Sequence, residues 1–223
     1  MKVTLLAYTQ DADRICAAAA RSCYSDKGAS ELRDTVKNPE EFLSHVVSMG
    51  HHSVIEHANF TFSVEGVSRS LTHQLVRHRI ASFSQQSQRY VSLKDPTFVV
   101  PETVKGNPEA EKLYLDTMDA IWKAYGKLED MGIPAEDARY VLPNGCTTNI
   151  TITMNARELW HFFNLRCCNR AQWEIREMAK QMLELVQKVS PAIFRGAGPA
   201  CARGPCPEGS KCCGHPWNKE KKP

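Results

Sequence analysis

The sequence predicts an α+β fold: a mixed or antiparallel sheet flanked by helices, in a single domain followed by a tail. Three observations predict it. Apolar residues alternate with polar ones over short stretches near positions 3–7, 60–64 and 150–154, the period of half-buried strands. Helical periodicity fills much of what lies between. The two patterns do not follow each other in the strict strand-helix-strand order that a doubly wound parallel sheet requires. No internal repeat is visible.

In chain order, Val3, Leu5 and Ala7 read as a first strand. Asp11 or Asp13 can cap a helix through Ile15 to Ala20, and residues 25–37 read as a polar loop. Asn38-Pro39-Glu40-Glu41 starts a second helix, with Asn at the cap and Pro in the first turn; Gly50 stands at its C-terminal end. Residues 51–57 read as a histidine-bearing loop. Phe60, Phe62 and Val64 form a strand broken by Gly66. Val67, Leu71, Leu75 and His78 follow helical spacing, so that His73 and Arg77 share one face and Gln74 and His78 another. A loop follows, then strands at 90–93 and 97–100. Asn107-Pro108-Glu109 opens a long helix ended by Gly132, and residues 134–141 make a short helix closed by Pro143-Asn144-Gly145. Ile150, Ile152 and Met154 lie on one side of a strand. Asn155-Ala156-Arg157-Glu158 is a capping box, and a last helix covers about 171–189. From residue 196 to 223, Gly, Pro, Cys and Lys replace apolar periodicity, so the reading is a domain over 1–195 and a tail over 196–223.

The chain has 223 residues, 42% hydrophobic and 24% charged, with a formal charge of +3. That balance argues against a general nucleic-acid binder and makes local basic clusters the informative ones. No apolar run is long enough for a membrane span, and the first residues do not read as a signal peptide. The expected location is cytoplasmic, with the five cysteines of the body as thiols.

Polar chemistry concentrates in three places. Residues 77–90, Arg77-His78-Arg79-Ile80-Ala81-Ser82-Phe83-Ser84-Gln85-Gln86-Ser87-Gln88-Arg89-Tyr90, carry three arginines and no acid. Guanidinium groups offer planar pairs of donors to phosphate, and the hydroxyls and amides add neutral partners. Such a strip suits a nucleotide. The second place is Asn164-Leu165-Arg166-Cys167-Cys168-Asn169-Arg170, continuing to Arg176, with Arg166 and Arg170 spaced i,i+4. The third is the loop from His51 to His57, whose spacing does not match helical zinc motifs. Glycine fingerprints for dinucleotides and the phosphate loop are absent, so any nucleotide is held by side chains. A serine hydrolase built on Ser82, Ser84 or Ser87 with His78 lacks nucleophile-elbow glycines.

These residues resemble a known family. Arg77-His78-Arg79, Ser82 and Ser87-Gln88-Arg89-Tyr90 resemble the signature of the flavin-dependent thymidylate synthases. Gly50-His51 with Glu56-His57, Ala138-Arg139 with Val141-Leu142-Pro143, Asn155-Ala156-Arg157, Asn164-Leu165-Arg166 and Ala171-Gln172-Trp173-Glu174-Ile175-Arg176 resemble further family segments, in order over about 1–195. The resemblance implies reductive methylation of dUMP to dTMP, with 5,10-methylenetetrahydrofolate as carbon donor, FAD as hydride carrier and NADPH as reductant. It also implies an α+β homotetramer with shared active sites.

By the same resemblance Ser53, Arg77, His78, Arg79, Gln85, Asn164, Arg166 and Arg170 contact FAD. Gln74, Arg77, Gln85, Gln86, Ser87, Gln88, Arg89, Asn149 and Arg176 contact dUMP, Arg176 being the catalytic group at the uracil ring. His51 is expected near folate and flavin. Two positions depart from the family: Gln85 stands where Glu is common, and Asn149 where Arg or Lys is common. Neither nucleic acid nor membrane is an expected partner; the competing reading of the strip is a non-catalytic nucleotide- or RNA-binding protein. In the tail, Cys201, Cys206, Cys212 and His215 supply enough ligands for a metal ion, but their spacing fits no paired zinc pattern.

Overall fold

The computed structural model describes residues 1–93 and 95–217; Lys94 and the end of the tail, 218–223, lie outside the described residues. Four strands, β1 (Lys2–Tyr8), β2 (Asn59–Ser68), β3 (Ala81–Gln85) and β4 (Thr147–Asn155), form one antiparallel sheet in the order β1-β2-β4-β3. The α+β expectation holds.

Several expected elements change. Residues 25–37 contain a helix, α2 (Ala29–Thr35), after α1 (Ala12–Ser22). Only Leu32 of α2 is buried, so no apolar stripe announced it. The helix α3 (Pro39–Ser48) starts where its signals put it, and the histidine loop is a 3-10 helix over His52–His57. β2 does not stop at Gly66; it runs through that residue, whose φ of 68° suits glycine, to Ser68. Ser68 then caps α4 (Arg69–Leu75), its hydroxyl accepting from the Leu71 N–H at 3.0 Å. Because α4 ends at Leu75, the facing pairs expected for His73/Arg77 and Gln74/His78 do not form on a helix.

The strip was expected to be a loop but contains β3. The strands expected at 90–93 and 97–100 are absent; that region contributes an isolated bridge between Phe98 and Cys146. Beyond it come α5 (Glu102–Lys105), α6 (Pro108–Asp130), α7 (Ala135–Ala138), α8 (Ala156–Arg166), α9 (Trp173–Val189) and α10 (Pro191–Phe194). The tail is not featureless: 3-10 turns cover Ala200–Ala202 and Gly209–Lys211.

The chain divides into two compact units. One comprises Met1, Val64–Arg77 and Ser84–Ile150. Its core packs Met118, Trp122 and Cys146 against Phe98, Tyr114 and Ile121, and the Trp122 indole N–H donates to the Leu93 carbonyl at 3.0 Å. The other comprises Lys2–Ser63, His78–Phe83 and the chain from Thr151 onward. Its core is aromatic: Phe60, Phe162, Phe163 and Phe194 are fully buried, and the Phe60 and Phe194 rings meet edge to face at 5.3 Å.

This second unit closes its two ends on each other. Asp13 in α1 accepts the backbone N–H groups of Ala192 and Ile193, at 2.9 and 3.2 Å, in the first turn of α10. Burial raises the Asp13 pKa, while those two hydrogen bonds oppose the rise. Replacing Asp13 by Ala leaves both N–H groups unsatisfied, so urea denaturation of Asp13→Ala should show a loss of about 1–2 kcal/mol.

Candidate functional site

In the second unit, the strip delivers His78 into the interior, where it is 3% exposed. Its Nδ1 lies 3.0 Å from Glu158 Oε1, and its Nε2 accepts from Arg166 Nε at 3.1 Å. A guanidinium cannot accept, so Nε2 must present a lone pair. Nδ1 therefore carries the proton and donates to Glu158, and the imidazole is neutral. Burial, helped by Arg166 and His161, pushes the His78 pKa down to about 4. Burial also raises the Glu158 carboxyl, partly offset by His161. Glu158 is set in place by the Asn155 cap, whose Oδ1 accepts the Glu158 N–H at 2.9 Å.

The neighbouring arginines point elsewhere. Arg79 is exposed and, among the described residues, has no acidic partner within ion-pair distance. Arg166 ends α8, so the chain turns away before Arg170 and their i,i+4 spacing does not put them on one helix. Arg170 instead meets Glu208 at 3.0 Å and the Lys211 carbonyl at 3.1 Å. Asn164 accepts from Arg203 at 3.0 Å. A cavity of about 360 Å³ opens here, lined by Asn164, Arg166 and Arg170 with Cys201, Cys206 and Glu208. Arg176 donates to the Asn169 carbonyl, which holds one edge of its guanidinium. It follows Gln172, whose side-chain oxygen caps α9 through the N–H groups of Glu174 and Ile175, each at 3.0 Å.

His51 and Ser53 are exposed at the start of the 3-10 helix. His52 is the half-buried one: it packs against Trp160 at 5.0 Å between ring centroids, and burial lowers its pKa against a raising hydrogen bond to the Val47 backbone. No group of three or more His, Cys, Asp or Glu among the described residues is placed to hold a metal ion.

In the first unit, Gln85 turns inward. Its Nε2 donates to the Thr72 hydroxyl at 3.1 Å and approaches the Thr148 hydroxyl at 3.4 Å. Thr72 spends its own proton on the Arg69 carbonyl at 3.0 Å, so its oxygen needs a donor. An amide supplies one and a carboxylate does not, which explains Gln rather than Glu in this chain. Asn149 accepts the Gly66 N–H at 3.0 Å through its side chain and the Gln86 N–H at 2.9 Å through its carbonyl. It serves β2 and the strip rather than standing in for a cation. Gln88 donates to the Cys146 sulfur at 3.5 Å, and the Ser87 hydroxyl accepts the Arg89 N–H at 3.2 Å. Arg89 itself meets Glu136 at 2.9 Å and lies over the Tyr90 ring. Gln74 is half-buried, and Arg77 is exposed without an acidic partner among the described residues.

Sequence reasoning missed Arg69. Its Nη2 donates to the Gln86 carbonyl at 3.1 Å, while its Nε is buried with no partner. Burial is the main cause of its lowered pKa. A cation four residues before the histidine-glutamine pair of α4 carried no pattern to single it out. Arg203, which reaches Asn164 and lies 5.1 Å over Trp160, was likewise hidden in the tail.

Two expectations follow from this geometry. His78 is depressed from 6.5 to about 4 on folding, so its share of stability is complete above pH 6.5 and is lost as pH falls toward 4. Urea midpoints across that range should fall with acidification, and His78→Gln should flatten the fall. Gln85→Glu should cost about 1–2 kcal/mol at pH 7, because the Thr72 oxygen loses its donor and meets a carboxylate; the same denaturation assay measures it.

The comparisons with known proteins come down on one family. Residues 4–192 match the family described as "Thymidylate synthase complementing protein". A flavin-dependent thymidylate synthase of Geobacter sulfurreducens is 54% identical, covering 96% of this chain and 94% of the relative. One from Clostridium tetani is 47% identical, covering 96% and 93%. Among solved structures, the UMP/dUMP methylase PolB from Streptomyces cacaoi, bound with 5-Br dUMP, superposes with a TM-score of 0.76 at 24% identity. It covers 87% of this chain and 93% of that one, and shows the same fold. The chain belongs to the flavin-dependent thymidylate synthase family.

Proposed function

We propose that this protein methylates dUMP to dTMP, taking the carbon from 5,10-methylenetetrahydrofolate and using FAD reduced by NADPH. Family membership over nearly the whole chain carries the reading. The donor chemistry agrees with it. Arg77 and Arg79 present guanidinium groups that no acid among the described residues neutralises, and Arg166 and Arg170 line a cavity. Groups of this kind fit the pyrophosphate of a dinucleotide.

Bound FAD would supply the hydride. The residues do the remaining work. Arg166, which lines the cavity and whose Nε is held by neutral His78, is assigned to an anionic group there, so His78 acts here as a positioning residue. Arg176 would place positive charge at the uracil edge, where negative charge develops as C5 is made nucleophilic. Arg89 is proposed for the dUMP phosphate; binding then exchanges Glu136 for phosphate. Arg69 supports that end of the strip by holding the Gln86 carbonyl, a role for which Asn149 has no charge. Gln74, Gln85, Gln86, Ser87 and Gln88 are assigned to the same nucleotide, and Ser53, Asn164 and His51 to flavin and folate. Cys167 is fully buried with its thiol pushed up to about 12, which suits packing rather than nucleophilic catalysis.

A homotetramer with shared sites is part of the proposal; exposed Val76, Ile80 and Tyr90 are apolar surface of the kind subunit contacts cover. A cytoplasmic location fits nine free cysteines. No helix among the described residues is long and apolar enough to cross a membrane.

The purified protein should be yellow and bleach with NADPH, and deuterium at C5 of dUMP should be released during turnover. A colourless preparation that refuses added FAD would overturn the reading. Arg176→Ala should keep flavin and lose turnover by about 100-fold or more. Arg89→Ala should raise the KM for dUMP by about 10- to 100-fold with a smaller change in kcat. Steady-state kinetics with excess folate measures both.

A further inference from the structure

The tail beyond α10 is stitched back onto its own unit. Cys201, Cys206, Cys212 and His215 form no metal-holding group among the described residues, so hydrogen bonds and ring contacts do the stitching. Asn169 donates to the His215 carbonyl at 3.2 Å, and the Lys180 ammonium lies 5.7 Å from the Trp217 ring centroid. The third attachment is Arg203, and it ends at a residue assigned to the flavin.

Gly198 takes a φ of 141°, which suits glycine, and turns the chain after α10. Arg203 Nη1 then donates back to the Gly196 and Gly198 carbonyls at 2.9 and 3.3 Å. The guanidinium lies 5.1 Å over the Trp160 ring. Its own loop and an indole thus fix the planar group before it reaches the last turn of α8. There Nη2 donates to Asn164 Oδ1 at 3.0 Å.

A guanidinium has no acceptor, so Arg203 can hold only the oxygen end of the Asn164 amide. Turning the amide over would set donor against donor. The Asn164 Nδ2 has no partner among the described residues. Asn164 lines the cavity of about 360 Å³ together with Arg166, Arg170 and, from the tail, Pro199 and Ala200. The side chain offers this cavity a donor and keeps its acceptor for Arg203.

We propose that Arg203 is a positioning residue of the flavin site, locking the Asn164 amide so that its NH₂ group serves an acceptor atom of the bound dinucleotide. This role rests on the flavin reading above. An unlocked asparagine samples both amide orientations, one of which sets a carbonyl oxygen against the ligand's acceptor. Locking removes that cost before the ligand arrives.

The test titrates full-length protein with FAD, followed by flavin fluorescence, without dUMP or folate. Asn164→Asp keeps an oxygen for Arg203 but removes the donor. It should unfold at the same temperature as the unsubstituted protein or higher, and bind FAD about 10-fold or more weakly. Arg203→Met should weaken FAD binding about 3- to 10-fold, and should add no further loss in an Asn164→Ala background. FAD binding by Asn164→Asp equal to that of the unsubstituted protein would overturn the proposal. So would an equal loss from Arg203→Met in both backgrounds, which would make Arg203 a clamp on its own loop and nothing more. Should Asn164→Asp prove unstable, the Arg203 and Asn164 cycle decides. If the unsubstituted protein binds no FAD, the flavin reading itself fails and this role falls with it, an outcome distinct from a loss confined to the variants.

Discussion

A neutral imidazole between a carboxylate and a guanidinium is the constraint that orders the second unit. His78 has no freedom of protonation: Arg166 demands a lone pair on one side and Glu158 a proton on the other. Adding a proton would set a cation against Arg166 inside the protein, where Coulomb repulsion is weakly screened. The strip is anchored by this residue, and Arg79 follows it at the surface. A histidine in the middle of an arginine motif thus does structural electrostatics.

The first unit shows the same logic without charge. A single proton chain runs from the Gln85 amide to the Thr72 hydroxyl to the Arg69 carbonyl. Each member fixes the donor or acceptor role of the next, so the identity of residue 85 is decided by a threonine thirteen positions earlier. The departures from the family pattern at Gln85 and Asn149 are both explained by where their hydrogen bonds go.

The fold was most legible where end signals are strong. Asn38-Pro39, Asn107-Pro108 and the Asn155 box each mark a helix that forms. The short α2 was illegible because it buries one leucine, and β3 because serine and glutamine occupy its strand and hide the alternation. The sequences at 90–93 and 97–100 have strand composition, but the first forms no strand and the second pairs with residues 145–147 only through an isolated bridge, because composition alone does not supply a full ladder. The arginines of the candidate site were legible as a cluster in the sequence. The inward turn of His78 was not, because its partner Glu158 lies 80 residues away and no local pattern couples them.

The clasp between Asp13 and α10 joins positions 179 residues apart. A ribosome must pass every residue between them before that acceptor meets its donors. The first helix therefore waits through that stretch of synthesis with a carboxylate that has no donor to receive, and the unit to which it belongs cannot complete progressively from the amino end.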